Sequence, residues 1–284
     1  MSVALAPITT ADLRAVGWFL HENLNRSVPI RSWVRALQVP WKVPQPNHGY
    51  LLAEEGRVVG AYLAYYSERE IAGRSLRVCN LGAWCVLDSH RHQGLRLLTT
   101  LLKQKGYAFT DFSPSGNVVP LNRRLKFVDL DTTTALLPNI PAPPRRGVKV
   151  TSNPEALLER LTDQERRVYL DHRDTAAARH LLLATPHDHS YVVLRRDSRK
   201  GVRAFATVLH ASNPELFRRH ARNVAGHLMI RHGIPATLVE LRVAGGRPAG
   251  SVLLSTSRPK MFRSDDLDPE HVDYLYSELT CLEW

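Results

Sequence analysis

The sequence predicts an α/β (α+β) fold in two halves, each a mixed, mostly antiparallel sheet flanked by helices. Three observations predict it. An apolar, strand-length run from Leu81 to Leu87 passes through a short basic turn directly into a helix-period run, Leu95, Leu98, Leu101 and Leu102. Pro138 to Gly147 holds four prolines in ten residues, which favours an extended linker over helix or central strand. The order hairpin, helix, glycine, strand is found on both sides of that linker. The expected organisation is therefore a first domain over 1–137, a linker over 138–147, and a second domain over 148–284.

Taken in order, the chain is expected to begin with a helix that Thr9 or Thr10 can cap, with Leu13, Val16, Phe19 and Leu20 as its apolar stripe. Arg31 to Leu37 follows as a second helix, ended by Pro40. Gly49 to Glu54 and Arg57 to Tyr66 are strands on either side of Glu55-Gly56, a hairpin turn signal, and the second carries Tyr62, Tyr65 and Tyr66. Glu68 to Arg74 is polar, and Ser75 to Leu87 resumes the sheet. The helix that opens at Gly94 closes near Gly106.

In the second half, Asn153 and Pro154 start a helix through Leu157 and Leu161, and helical sequence continues from Gln164 to about Leu183. Tyr191 to Arg196 and Ala204 to His210 form a strand pair around a basic turn. Asn213-Pro214-Glu215 then opens an amphipathic helix with Phe217, Ala221, Val224 and Leu228 on one face, closed by Gly233. Ala236 to Val243 and Gly250 to Thr256 are the last strands. The acidic first turn of the 213–233 helix suits a helix that holds no anion.

Composition narrows the function classes. With 284 residues and 44% hydrophobic content, the chain can bury one large core or two modest ones. No apolar run approaches the roughly eighteen residues of a membrane span. Met1 to Thr10 lacks the layout of a signal peptide, which makes the cytoplasm the expected location. The three cysteines agree, since Cys79 and Cys85 are six residues of strand apart, at about 3.3 Å each, and Cys281 is remote. The net charge of +11 can attract a polyanionic cofactor, a membrane surface or nucleic acid, but the basic residues are spread along the whole chain and solvated surface charge is the expected source of most of the excess. His90 and His92, and His187 and His189, lack the further ligands that a metal centre needs, so no metal is expected. There is no Gly-x-Ser-x-Gly, Walker loop or dinucleotide fingerprint.

The local chemistry of the basic turn is a phosphate cradle. Gly94 lets an anion approach the N–H groups of the first helical turn, where the helix dipole favours negative charge. Arg91, His92, Gln93 and Arg96 add donors around it.

That strand, turn and helix resembles the acyl-CoA-binding motif of the GNAT superfamily of acyl-CoA-dependent N-acyltransferases. The family pattern is Arg or Gln, two residues, Gly, one residue, then Gly or Ala. Here it runs Arg91-His92-Gln93-Gly94-Leu95-Arg96, with Arg96 where a small residue is usual. Tyr107 to Phe112 resembles the family's next strand, followed by Asn117 and by Leu125-Lys126-Phe127 in place of Leu-Gly-Phe. The resemblance covers about residues 50 to 137; with the repeated order of elements it suggests two GNAT-like halves, 148–284 being a degenerate GNAT-like domain without the cofactor motif or another α/β domain.

The resemblance implies transfer of an acetyl or other acyl group from acetyl-CoA or another acyl-CoA to a small-molecule or peptide amine, or to a hydroxyl. Val86, Leu87, Arg91, His92, Gln93, Gly94, Leu95, Arg96 and Asn117 would hold the cofactor, and the N–H of Val86 would face the oxyanion. The family's usual acid is a Tyr four residues before the Gly of Leu-Gly-Phe. Asn122 stands there and cannot titrate. Cys85, Asp111, Ser113 and Tyr65 are the substitutes that the surrounding strands offer. Trp33, Trp41 and the Pro40 to Pro46 loop fall on the acceptor side of the fold or in its packing. Loss of the Tyr leaves a second reading open, a lapsed enzyme that binds acyl-CoA or a protein partner. Net charge alone supports a third, an RNA-interacting acyltransferase.

Overall fold

The structure is a computed structural model and describes residues 2–141, 146–199 and 202–283. In chain order the elements begin with β1 (Ala4–Pro7), α1 (Leu13–Asn23), α2 (Ile30–Leu37), β2 (Gly49–Glu54), β3 (Arg57–Ile71) and β4 (Arg74–Val86). Next come α3 (Gly94–Leu102), β5 (Ala108–Asp111), α4 (Val118–Arg124), β6 (Val128–Asp129), β7 (Thr134–Pro138) and β8 (Lys149–Thr151). They are followed by α5 (Pro154–Arg160), α6 (Asp163–His172), β9 (Arg179–Ala184), β10 (His189–Arg199), β11 (Val202–Ala211) and α7 (Pro214–His232). The chain ends with β12 (Ala236–Glu240), β13 (Val252–Leu253), β14 (Met261–Arg263) and α8 (Glu278–Cys281).

These elements form two compact units, each on a mixed seven-stranded sheet flanked by helices. The first sheet runs β1-β2-β3-β4-β5-β14-β6 and the second β13-β7-β12-β11-β10-β9-β8. Each has one parallel pair, β4 with β5 and β11 with β12. Each parallel pair is joined by a crossover helix, α3 or α7, preceded by a long hairpin, so the repeated order in the sequence is a repeated topology. The core of the first unit gathers Leu52, Tyr62, Tyr66, Cys79, Leu81, Leu97, Leu98, Leu101 and Phe109. That of the second sets Phe217, Val224 and Leu228 of α7 against Val192, Leu194, Ala206 and Val208 of the sheet.

The expected domain limits differ from these units. The first unit comprises Met1–Leu130, Pro259–Val272 and Tyr276–Trp284, and the second Asp131–Arg258 and Asp273–Leu275. The physical reason is that the outer place beside each parallel pair is filled from the other side of the expected linker. β7, which follows the first unit in sequence, pairs with β12, and β14, which follows the second, pairs with β5. Pro138 ends β7, and the buried Asn139 donates to Ile234 O at 2.8 Å and accepts from Thr237 Oγ1 at 2.8 Å. Residues 142–145 of the expected linker lie outside the described residues.

Three further elements differ from expectation. β1 precedes the first helix; four residues are too few to show a period. β3 runs on through the polar stretch to Ile71 and turns at Ala72 (φ 50) and Gly73 (φ 73), the same two-residue geometry as Glu55 (φ 50) and Gly56 (φ 76). The helix expected from Gln164 to Leu183 stops at His172, and Arg179–Ala184 is strand β9. A short apolar run such as Leu181-Leu182-Leu183 reads the same in either state.

Candidate active site

The site is built where β5 stops and β4 goes on. The two pair in register from Val78 with Ala108 to Leu81 with Asp111, and β4 then continues to Val86 without β5. At that point β4 carries a bulge. Its pairing with β3 shifts between Ala61 and Leu63, and Ala83 sits at φ 54, a left-handed conformation that costs an alanine about 1–2 kcal/mol. The bulge bends the strand away from the end of β5. Leu87 N–H donates to Val59 O at 2.9 Å, so the two-residue alternation of a strand directs the N–H of Val86 to the opposite edge. Among the groups expected to hold a cofactor arm, that leaves Val86 N–H available and commits Leu87 N–H to the sheet.

The turn after β4 is a 3-10 helix over Asp88–Gln93 that runs into α3 at Gly94. This departs from a bare turn with free N–H groups. His90 N–H donates to Leu87 O and Gly94 N–H to Arg91 O, so two of the expected donors are used internally. Packing alone would accept a larger residue here, since a Cβ at Gly94 would lie 3.4 Å from Val86 and 3.6 Å from Trp84, both ordinary contacts. Trp84 in turn stacks on Tyr62 with centroids 4.8 Å apart. Arg91 is exposed and pairs with Asp88 at 2.8 Å. Arg96 donates to Gln93 Oε1 at 2.7 Å and to Val3 O at 3.2 Å, which ties the motif to the start of the chain. His92 and Leu95 are exposed. Asn117 is the exposed N-cap residue of α4. His90 bridges Ser89 Oγ at 2.8 Å and Glu54 at 3.1 Å, anchoring the 3-10 helix to the end of β2.

Three of the expected catalytic residues converge, and they do so around a residue the sequence does not single out. Glu278, the first residue of α8, is fully buried beside β4; a Cβ at Gly82 would lie 3.1 Å from its Cβ. Its N–H donates to Asn80 Oδ1 at 3.0 Å, and its Oε1 accepts from Ser113 Oγ at 2.9 Å. Its Oε2 has no partner among the described residues, and neither does the buried hydroxyl of Tyr65. Asp111, 3% exposed at the end of β5, accepts from Asn122 Nδ2 at 2.9 Å, from Ser113 N–H at 3.3 Å and from Tyr62 OH at 3.4 Å. Asn122, where the family resemblance puts an acid, is instead the residue that holds one.

Burial sets the protonation of this pair. Loss of hydration pushes the Asp111 carboxyl up to about 6, against the pull of its three donors. Burial and then the nearby Asp111 charge push Glu278 up to about 8. Two carboxyls whose environments separate them by this much have the protonation states that acid and base work would need. Ser113 is exposed although its hydroxyl reaches Glu278, so it links the buried carboxyl to the surface. Burial likewise raises the phenols of Tyr62 and Tyr65 well above the usual range, so both stay protonated. Cys85, expected as a candidate acid or nucleophile, is buried and pushed up to about 11. Its thiol is not a thiolate near neutral pH, which removes it as a nucleophile.

No protein-family model matches the chain, and no curated protein matches it. Solved structures do. A GCN5-related N-acetyltransferase from Anabaena variabilis superposes with a TM-score of 0.59 at 10% identity, over 92% of this chain and 72% of the other. A GCN5-related N-acetyltransferase from Kribbella flavida gives 0.58 at 13% identity, over 92% and 71%. The chain therefore has the GNAT fold, in the two-sheet arrangement that the sequence predicts.

Proposed function

We propose that the protein transfers an acyl group from an acyl-CoA to an amine or hydroxyl acceptor at the end of β5, with Glu278 as the acid–base group and Ser113 as its outlet. The observation that carries this reading is the 2.9 Å hydrogen bond from an exposed hydroxyl to a buried carboxyl at the mouth between β4 and β5. The phosphates lie against the turn over 88–96, with Arg91, His92, Gln93 and Arg96 around them. The thioester arm follows the free edge of β4 toward the Asp111–Glu278 pair. As the acceptor attacks the thioester carbonyl, Val86 N–H faces the developing oxyanion. The acceptor proton passes through Ser113 Oγ to the ionised form of Glu278, and the same carboxyl returns a proton to the departing thiolate. A carboxyl held near 8 is a stronger base when ionised than an ordinary one, and its neutral form is abundant enough near pH 7 to act as the acid. Asp111 stays charged beside it and keeps its proton affinity high.

Acetyl-CoA is the first acyl donor to test, and small-molecule and peptide amines are the first acceptors. No described helix is long and apolar enough to cross a membrane, and the three buried cysteines are free thiols, which fits work in a reducing compartment. The test is release of free coenzyme A thiol from acetyl-CoA and longer acyl-CoAs in the presence of an amine panel. The expected result is acceptor-dependent release that Glu278→Gln abolishes. Saturable acyl-CoA binding with no turnover on any acceptor would make the protein a binder rather than a transferase.

A further inference from the structure

We propose that the first unit has a second anion site, a cavity at the N-terminal ends of β4 and β5 that binds a small ligand carrying two or more phosphoryl groups. The cavity has a volume of about 720 Å³, within the range of small-molecule sites. It cannot share a ligand with the turn over 88–96. That turn follows the other end of β4, which at thirteen residues spans roughly 40 Å at about 3.3 Å per residue.

Five cations line it: Arg74, Arg77, Lys105, Lys126 and Arg263. Three carboxylates do too, and two of them are occupied. Asp266 pairs with Arg74 at 2.7 Å, and Glu68 accepts from Ser75 Oγ at 3.4 Å. Asp265 is the third. Lys105, Lys126 and Arg263 make no ion pair among the described residues, so the cavity keeps an excess of uncompensated positive charge.

Two of these cations sit beside identifiable backbone features, Arg77 over Gly106 at φ 77 and Lys126 in a left-handed conformation of its own. The Arg77 guanidinium lies 4.8 Å from the centre of the Tyr107 ring and donates to Lys105 O at 3.4 Å. It fits there because position 106 is glycine; a Cβ would lie 2.2 Å from Arg77 Nη2. A guanidinium fixed in this way loses little freedom when it meets an anion. Lys126 is the stronger sign. It ends α4 at φ 65, with its N–H donating to Arg123 O and Phe127 N–H donating to Asn122 O. A helix end of this kind favours glycine, which enters the left-handed region without strain. Here a lysine holds the strained position, and its side chain lines the cavity. The backbone gains nothing from that choice, and the cavity gains a cation.

A concave, multiply basic site suits a compact polyanion such as a diphosphate, whose oxygens can meet several cations at once. The experiment is calorimetric titration of inorganic pyrophosphate into the full chain at low salt, repeated with Lys126→Gly, Arg263→Ala and Gly94→Glu. The expected result is a saturable site that Lys126→Gly and Arg263→Ala each weaken at least tenfold and that persists with unchanged affinity in Gly94→Glu, which removes only pyrophosphate held at the turn over 88–96. Lys126→Gly should also melt no lower than the parent, because it relieves the backbone, so lost affinity cannot be put down to lost fold. No saturable binding, or equal binding by Lys126→Gly, overturns the proposal. So does loss of binding in Gly94→Glu alone, which would place the anion on the turn over 88–96. A single-stranded RNA that displaces pyrophosphate with a steep salt dependence would overturn the small-ligand assignment in favour of a nucleic-acid backbone.

Discussion

Ser113 Oγ donates to Glu278 Oε1 across 2.9 Å, joining two residues 165 positions apart in the chain. One end of that bond is exposed and the other is fully buried. A carboxyl in this setting can exchange protons with a bound acceptor through a single hydroxyl while the rest of its surroundings stay dry.

Replacing Glu278 with Gln keeps an acceptor for the Ser113 hydroxyl and removes the titrating group. Acyl transfer should fall by about 10²- to 10⁴-fold, the usual weight of a positioned acid or base, with acyl-CoA affinity within about threefold of the parent. Thiol-release kinetics beside a calorimetric titration separate the two quantities.

The same pair fixes a pH dependence of stability. Both carboxyls are raised in the folded chain, Asp111 from 3.8 to about 6 and Glu278 from 4.5 to about 8, so the folded state binds more protons than the unfolded state between those values. Stability from these groups is full below about pH 4 and is lost as pH rises, at about 1.4 kcal/mol per pH unit while one group titrates. Glu278→Gln should therefore match the parent near pH 4, gain on it progressively from about pH 4.5 to about 8, and keep a constant advantage above that. Denaturant midpoints measured from pH 4 to 9 check this, and parallel curves for the two proteins would remove Glu278 as the cause.

Gly94→Glu places a carboxylate where a phosphate is proposed to sit, and its Cβ meets Val86 and Trp84 at ordinary contact distances, so the fold should survive. Two like charges 4 Å apart repel by about 4 kcal/mol at an effective dielectric of 20, which predicts at least a ~100-fold loss of coenzyme A affinity. Arg96→Ala removes a charge-assisted contact and frees Gln93, with an expected loss of about 1.5–3 kcal/mol in the same titration.

A chain ended after Leu275 loses α8 and the residues that seat it. Tyr276 packs its ring against Trp41 at 5.2 Å and under Arg69 at 5.0 Å, and Leu279, Cys281 and Leu282 are buried. At about 1.5–3 kcal/mol for each large apolar side chain removed from the core, this truncation should lower stability by more than a typical point mutation does. Thermal melting of the shortened chain against the full one measures it.

Much of the fold was legible because its signals are local. Glu55-Gly56 marks a tight hairpin by its own backbone needs, Gly233 closes α7 at φ 63, and the basic turn before Gly94 sits between a strand and a helix, as its pattern predicts. Asp111, Ser113 and Tyr65 could be named because they lie on or just after strands flanking the motif. Glu278 could not. Nothing in Tyr-Ser-Glu-Leu distinguishes it, and its importance comes from Asn80, Gly82 and Ser113, all met only in three dimensions. The limits of the two units differ from the expected ones for a related reason, since Met261–Arg263 is too short to show a strand period and pairs with a strand at 109–111.

The placement of β14 also dictates when the first sheet can close during synthesis. β5 has emerged by Asp111, but its neighbour on the far side begins at Met261, about 150 residues later. At about 5–20 residues per second the ribosome takes roughly 8–30 s to cover that stretch. For all of that time the nascent chain presents the outer edge of β5 unpaired, the kind of edge that other strands can add to. The first unit, although made first, is the later of the two sheets to be completed, because β13, the last strand of the second sheet, leaves the ribosome before β14.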